Sequence, residues 1–181
     1  CAFCLGMIAA LKKDLEVYYG PYVEFMRNVP PISLIALLIL WFGIGETSKI
    51  IIIVLASFFP MFMNIRKGLL SCDKKLLEVG KTCGLSKTAC FFKVRLPWAF
   101  PDILVGMRIG LGYSWRAIIG AEMVAASTGL GHMILFAQQM SRTDKVIVGI
   151  LAIGAVGYVT DCLFGWMIGF VLKGSGENGW N

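Results

Sequence analysis

The chain has 181 residues, of which 57% are hydrophobic and only 15% charged, where ordinary soluble domains carry about 25% charged residues. With a mean hydropathy of +0.76, this balance excludes a soluble globular domain and points to an integral membrane protein. The net charge of +6 does not indicate nucleic acid, because the basic residues cluster in one loop and no basic–aromatic binding pattern accompanies them.

Residues 1–11 (CAFCLGMIAAL) would make about 17 Å of helix at 1.5 Å per residue. That is too short for a hydrocarbon layer of about 30 Å. With no basic leader the run is not read as a signal peptide. It reads as the end of a span that begins upstream, so the chain is expected to be N-terminally incomplete. Residues 12–30 mix Lys12, Lys13, Asp14, Glu16, Glu24 and Arg27 with aromatic residues, as an interfacial segment does.

Pro30 and Pro31 suit a helix start, and residues 31–45 (PISLIALLILWFGIG) predict a short span ended by Gly43 and Gly45. Residues 48–65 predict the next span, with a kink expected at Pro60. Ile50–Leu55 alone would suit a buried strand, but an open strand edge cannot sit in lipid, so helix is expected. Residues 98–124 predict a longer, less apolar span, and residues 125–144 a polar, Gly-bearing connection with a short apolar stretch from His132 to Met140. Residues 145–172 predict the last span, and Lys173–Asn181 a Gly-rich tail.

Residues 65–95 hold Arg66, Lys67, Lys74, Lys75, Lys81, Lys87, Lys93 and Arg95 against only Asp73 and Glu78. Positive charge concentrated between spans places this loop in the cytoplasm. Residues 12–30 and the C-terminus then fall inside, and 45–48 and 125–144 outside. Lys12, Lys13, Arg27 and Lys173 agree; Lys49, Arg142 and Lys145 are the minority.

The loop carries the most specific spacing in the chain. From Glu78 it runs Glu78-Val79-Gly80, then Gly84, then Val94, one residue, Leu96 and Pro97. This resembles the EAA loop of ABC-importer permeases, with Val79 and Gly80 in place of the two alanines and Val94 in place of isoleucine. Gly80 costs a helix roughly 1 kcal/mol relative to Ala. Such a loop is expected to form two short helices around a turn at Gly84, with Leu76, Leu77, Val79, Leu85, Phe91 and Phe92 offering an apolar face to a partner. The Leu40–Gly43 stretch (Leu-Trp-Phe-Gly) and the series Ala121, Glu122, Met123, Ser127, Gly129, Leu130 and Gly131 are similar to the nitrate/taurine/aliphatic-sulfonate type of these permeases. Where that type often carries a mid-helix proline, this chain has Ala36.

The resemblance covers nearly the whole chain. It implies an all-α integral membrane fold, the type I importer bundle, with four full spans, one partial span and a cytoplasmic coupling loop over residues 66–96 of a single domain. It implies a multi-pass subunit of the bacterial cell membrane, in the lipid bilayer, that does no chemistry and binds no cofactor. ATP would be held by a partner ATPase docked on the loop. A second permease copy would complete the pore, and an extracytoplasmic binding protein would deliver a small anion or organic solute. The readings weighed against it are a membrane scaffold or channel without an ATPase, which the loop spacing disfavours, and an intramembrane hydrolase, which lacks a catalytic constellation.

Ionisable residues inside spans are costly and mark function or pairing. Here they are Arg108, Arg116, Glu122 and Asp161, a candidate substrate path. The alternative, that the arginines snorkel or pair with Asp161 or Glu122 to hold helices together, is the more economical. Gly106–Gly110 and Gly165–Gly169 have the GxxxG spacing of close helix packing, expected within one subunit. The six cysteines, including a lone CxxC at Cys1 and Cys4, form no second pair for a zinc site. The single histidine, His132, permits no multi-histidine site.

Overall fold

A computed structural model of the chain describes Gly6 and residues 16–174. The partial span, Cys1, Cys4, Lys12, Lys13 and Asp14, and the tail beyond residue 174, lie outside the described residues.

The described chain is helical. Helix α1 (Glu16–Asn28) is followed by a 3-10 turn (Pro31–Leu34) and α2 (Ile35–Phe42). The two helical pieces meet at 83°. Pro30 and Pro31 cause the break, because each holds the residue before it out of helical geometry, and Pro30 is extended at φ −62°, ψ 127°. The stretch 31–45 therefore is not a span by itself: its helical part stops at Phe42, where Gly43 takes φ +76°. The buried Ser48 hydroxyl donates to the Gly43 carbonyl at 2.7 Å and closes the turn into α3 (Glu46–Leu70). The Ile50–Leu55 run is helix, as the lipid argument requires, and Pro60 lies inside the unbroken 25-residue α3.

Helix α4 (Lys74–Thr82) and the short α5 (Lys87–Cys90) form the loop. A π-helical turn, Phe91–Arg95, then leads directly into α6 (Leu96–Ala125), and α7 (Leu130–Gln139) and α8 (Thr143–Gly174) complete the chain. Among the described residues, only α3 and α8 are each long and apolar enough to cross a membrane. The expected four spans are reached when each bent pair counts as one, α1 with α2, and α5–α6 with α7.

Antiparallel α3 and α6 make the frame. At the loop end Ile65 and Leu69 pack on Phe91, Ala99 and Ile103. At the other end Ile52 packs with Ile35, Leu38, Ala121 and Ala125. Between these clusters, Gly106 and Gly110 let the two backbones approach. A Cβ at Gly106 would stand 2.7 Å from Asn64 Cβ, and one at Gly110 2.6 Å from Met61 Cγ. This GxxxG pair works within the chain, as expected. Helix α8 is different: only 6% of its apolar window is buried, and Leu151, Tyr158, Trp166 and Phe170 face outward. A helix apolar all round suits lipid or further helices.

Candidate functional site

The loop folds into a capped knob at one end of the α3–α6 pair. The Asp73 carboxylate accepts from the Lys75 N–H at 2.9 Å and starts α4. The Ser86 hydroxyl accepts from the Ala89 N–H at 3.2 Å and starts α5. Between them the chain reverses at Gly84, with φ +74°. The Gly84 N–H reaches the Lys81 carbonyl at 3.0 Å and the Leu85 N–H reaches the Gly80 carbonyl at 3.1 Å. That pair of bonds is the Schellman motif, which needs a left-handed residue at the position Gly84 occupies.

The other motif residues divide by role. Gly80 is buried, and a Cβ there would meet Cys90 Sγ at 3.2 Å and Val94 Cγ2 at 3.6 Å. The absent side chain lets α4 rest against α5 and the π turn, a reason for glycine that helix propensity alone does not show. Leu96 packs against the loop-end core. Pro97 stands in the first turn of α6. Because proline has no N–H to donate, the widened turn precedes it, the Leu96 N–H reaching back five residues to the Phe91 carbonyl. Glu78 is exposed and makes no ion pair among the described residues. Val79 is exposed too.

The expected apolar docking face needs correction. Phe91 is buried at 7% exposure and belongs to the core, because the π turn rotates it toward α3. Leu77 and Leu85 are half-buried and, with Lys81, Lys87, Phe91 and Arg95, line a hollow of about 240 Å³. Leu76, Val79 and Phe92 remain outward. Sequence reading also missed Arg95, whose Nε donates to the Leu69 carbonyl at 2.8 Å and ties the knob to the end of α3. Nearby, burial pushes the Cys72 thiol above its ordinary range, against the lowering effect of the Arg95 charge.

The polar residues in the apolar helices separate into two places. Arg108 on α6 forms a two-pronged ion pair with Asp161 on α8, Nη2 to Oδ2 at 2.6 Å and Nε to Oδ1 at 3.0 Å. The guanidinium crosses Gly165, where a Cβ would stand 3.2 Å from Arg108 Cζ. Arg116 and Asp161 share a hollow between α6 and α8. Glu122 lies elsewhere. Its carboxylate accepts from the Gly131 N–H at 2.9 Å, at the start of α7, where anionic groups are favoured. A Cβ at Gly129 would collide with the Glu122 carboxylate, and one at Gly131 with the Ile119 carbonyl and Glu122 Cβ, so the first glycine of the Gly-Leu-Gly sequence admits the Glu122 side chain and the second lets α7 approach the backbone of α6. Sequence spacing contained these residues but not this contact.

Apolar helices able to cross a membrane, packed around an antiparallel pair with a capped loop at one end, define a helical membrane component. The sequence profile of the binding-protein-dependent transport system inner membrane component family matches residues 2–170, and the chain belongs to that family. It is therefore an inner-membrane component. It is 40% identical over 157 residues to a Bacillus subtilis (strain 168) protein named for aliphatic sulfonates transport, the permease SsuC, covering 87% of this chain and 57% of that one. It is 37% identical over 157 residues to the taurine transport system permease protein TauC of Escherichia coli (strain K12), with the same coverage. The chain thus spans a little over half the length of these relatives. The crystal structure of an amino acid ABC transporter shares the fold at a TM-score of 0.69 and 18% identity, covering 95% of this chain and 84% of that one.

Proposed function

We propose that the protein containing this chain is the permease subunit of an ATP-driven importer for a small anionic or organic solute, of the sulfonate, taurine or nitrate kind. Two copies form the pore, an extracytoplasmic binding protein delivers the solute, and a cytoplasmic ATPase drives the cycle through the knob at residues 66–96. The observation that carries this reading is the continuity of the knob with the span. Helices α5 and α6 are joined by helical turns throughout residues 87–125, so a push on α5 reaches the membrane without a flexible joint. Exposed Glu78, Val79 and Phe92 are the contacts offered to the ATPase, with Gly80, Gly84, Val94, Leu96 and Pro97 shaping the surface. The names of two relatives, for aliphatic sulfonates and for taurine transport, support the solute class. The short α7 lies at the opposite end from the knob, where it meets the binding protein or lines the pore mouth.

The test is co-purification of the full-length protein with its neighbouring ATPase. The wild type should retain the ATPase, and Gly84→Val combined with Glu78→Ala should release it while the permease stays folded by circular dichroism. A wild type that never retains an ATPase would overturn the coupling and leave a scaffold or channel.

A further inference from the structure

A hollow of about 630 Å³ opens beside the junction of the knob and its span. One wall is the π turn and the start of α6, with Lys93, Pro97, Trp98, Phe100 and Pro101. Leu172, near the end of α8, forms the other. Clefts that take small molecules run from ~300 to 1,000 Å³. This one shares no residue with the hollows at Phe91 and at Trp115.

Its depth limits what can fill it. The basic loop sets this end of the helices at the cytoplasmic surface. From Lys93 to Pro101 the wall extends about 12 Å at 1.5 Å per residue, whereas the head-group layer is only about 5–7 Å deep on each side of a bilayer. The hollow therefore begins among head groups and ends in hydrocarbon. Trp98, 43% exposed, stands one residue past Pro97, where an indole suits the interface. Phe100 and Pro101 line the deeper part with apolar groups alone.

The charge has one sign. Among the described residues the lining carries the Lys93 ammonium and no acidic side chain. Lys93 is exposed and forms no ion pair or side-chain hydrogen bond among them. Its neighbours are engaged: Lys67 has Asp102 at 4.0 Å, and Arg95 donates to the Leu69 carbonyl. An ammonium binds phosphate as a point charge, and cytoplasmic leaflets are anionic and attract basic residues beside spans. A cation at the rim of an apolar trough matches a molecule that is anionic at one end and hydrocarbon at the other.

We propose that this hollow is a binding site for one anionic phospholipid of the cytoplasmic leaflet. Lys93 holds its phosphate, Trp98 lies at the ester level, and one acyl chain runs along Phe100, Pro101 and Leu172. Bound there, the lipid bridges the base of the knob and the end of α8. The site needs the cytoplasmic placement of the knob, but neither the ATPase nor the solute.

The test is native mass spectrometry of the full-length protein in detergent, supplied with equimolar phosphatidylglycerol and phosphatidylcholine of the same chains. The wild type should retain one phosphatidylglycerol with at least a fivefold preference. Lys93→Gln should cut that preference about fivefold, the usual worth of one basic residue at an anionic surface, and Lys93→Arg should keep it. Lys74→Gln, at an exposed lysine of the same loop outside the hollow, should leave it unchanged. Leu172→Trp, which fills the hollow with every charge intact, should abolish retention. Equal losses in Lys74→Gln and Lys93→Gln would show diffuse attraction by the loop and overturn the site. A wild type that retains no more phosphatidylglycerol than Leu172→Trp would show that a protein segment covers the hollow, which also overturns it. Displacement of the lipid by equimolar glycerol 3-phosphate would make this a site for a soluble phosphate instead. If Leu172→Trp does not fold, Lys93→Gln against Lys74→Gln decides. Loss of the ATPase with the lipid preference intact refutes the coupling reading alone, and a retained ATPase with no lipid preference refutes the lipid site alone.

Discussion

Gly84→Ala isolates one contribution to the knob, the left-handed backbone at its turn. Gly84 has φ +74° and no atom lies within 4 Å of a Cβ placed there, so the substitution adds no clash inside the chain. What remains is the cost of holding an L-residue in left-handed geometry, about 1–2 kcal/mol. If the turn relaxes to escape that strain, it gives up the bonds from Gly84 N–H to Lys81 and from Leu85 N–H to Gly80, each worth about 0.5–1.5 kcal/mol. Either route lowers the population of the ordered knob by a factor of roughly 5–30. The assay is the affinity of the full-length protein in nanodiscs for its ATPase, measured for Gly, Asn, Ala and Val at position 84. Asn tolerates the left-handed region and a β-branched residue does not, so the backbone argument predicts affinity in the order Gly, Asn, Ala, Val. If Asn proves worse than Ala, side-chain size at the docked surface governs the position and the reasoning is refuted. If Val matches Gly, an ordered turn is not needed for docking.

Three further outcomes are expected. Glu122→Ala removes the carboxylate from the start of α7 and should cost about 1 kcal/mol, read as faster amide exchange at Gly131 and its neighbours; unchanged exchange there would show that the cap does not hold the helix. Gly106→Leu forces a side chain into the space beside Asn64 and should cost about 1–3 kcal/mol, seen as a lower Tm in detergent, whereas Gly169→Leu, with nothing within 4 Å, should leave Tm within error. Cys83 is exposed while Cys72 and Cys90 are buried, so a membrane-impermeant maleimide applied to inside-out vesicles should label Cys83 first. Because burial raises the Cys72 thiol, its thiolate fraction at neutral pH is depressed, and its slow labelling should accelerate as pH rises through that higher value. Labelling of Cys83 in right-side-out vesicles would reverse the topology.

Features that depend on neighbours in sequence were legible. The span of α8, the basic loop, the turn at Gly84 and the start of α6 at Pro97 follow from hydropathy, charge clustering and the conformational limits of glycine and proline. The break at Pro30–Pro31 was visible as a helix start, but the 83° bend and the early stop at Phe42 were not, since apolar composition continues to Ile44. Phe91 and Phe92 look alike in sequence. Which of them turns inward depends on the π turn, itself a consequence of Pro97 meeting a helix that arrives already formed from α5.

By itself, then, the sequence determined the class of the protein, because a chain this apolar must satisfy its backbone within helices and gathers most of its lysines in one loop. It also determined the knob, whose caps and reversal are made by residues at most five positions apart. The tertiary structure alone decided how the ionisable residues are spent. Arg108 and Asp161 lie 53 residues apart, and only the packing of α8 against α6 makes them partners, while Arg116 lies over the Tyr113 ring and Glu122 reaches the start of α7. Spacing along a chain limits which groups can meet within a helix, but pairing between helices is set by how their surfaces fit, and here glycines at the contacts made that choice.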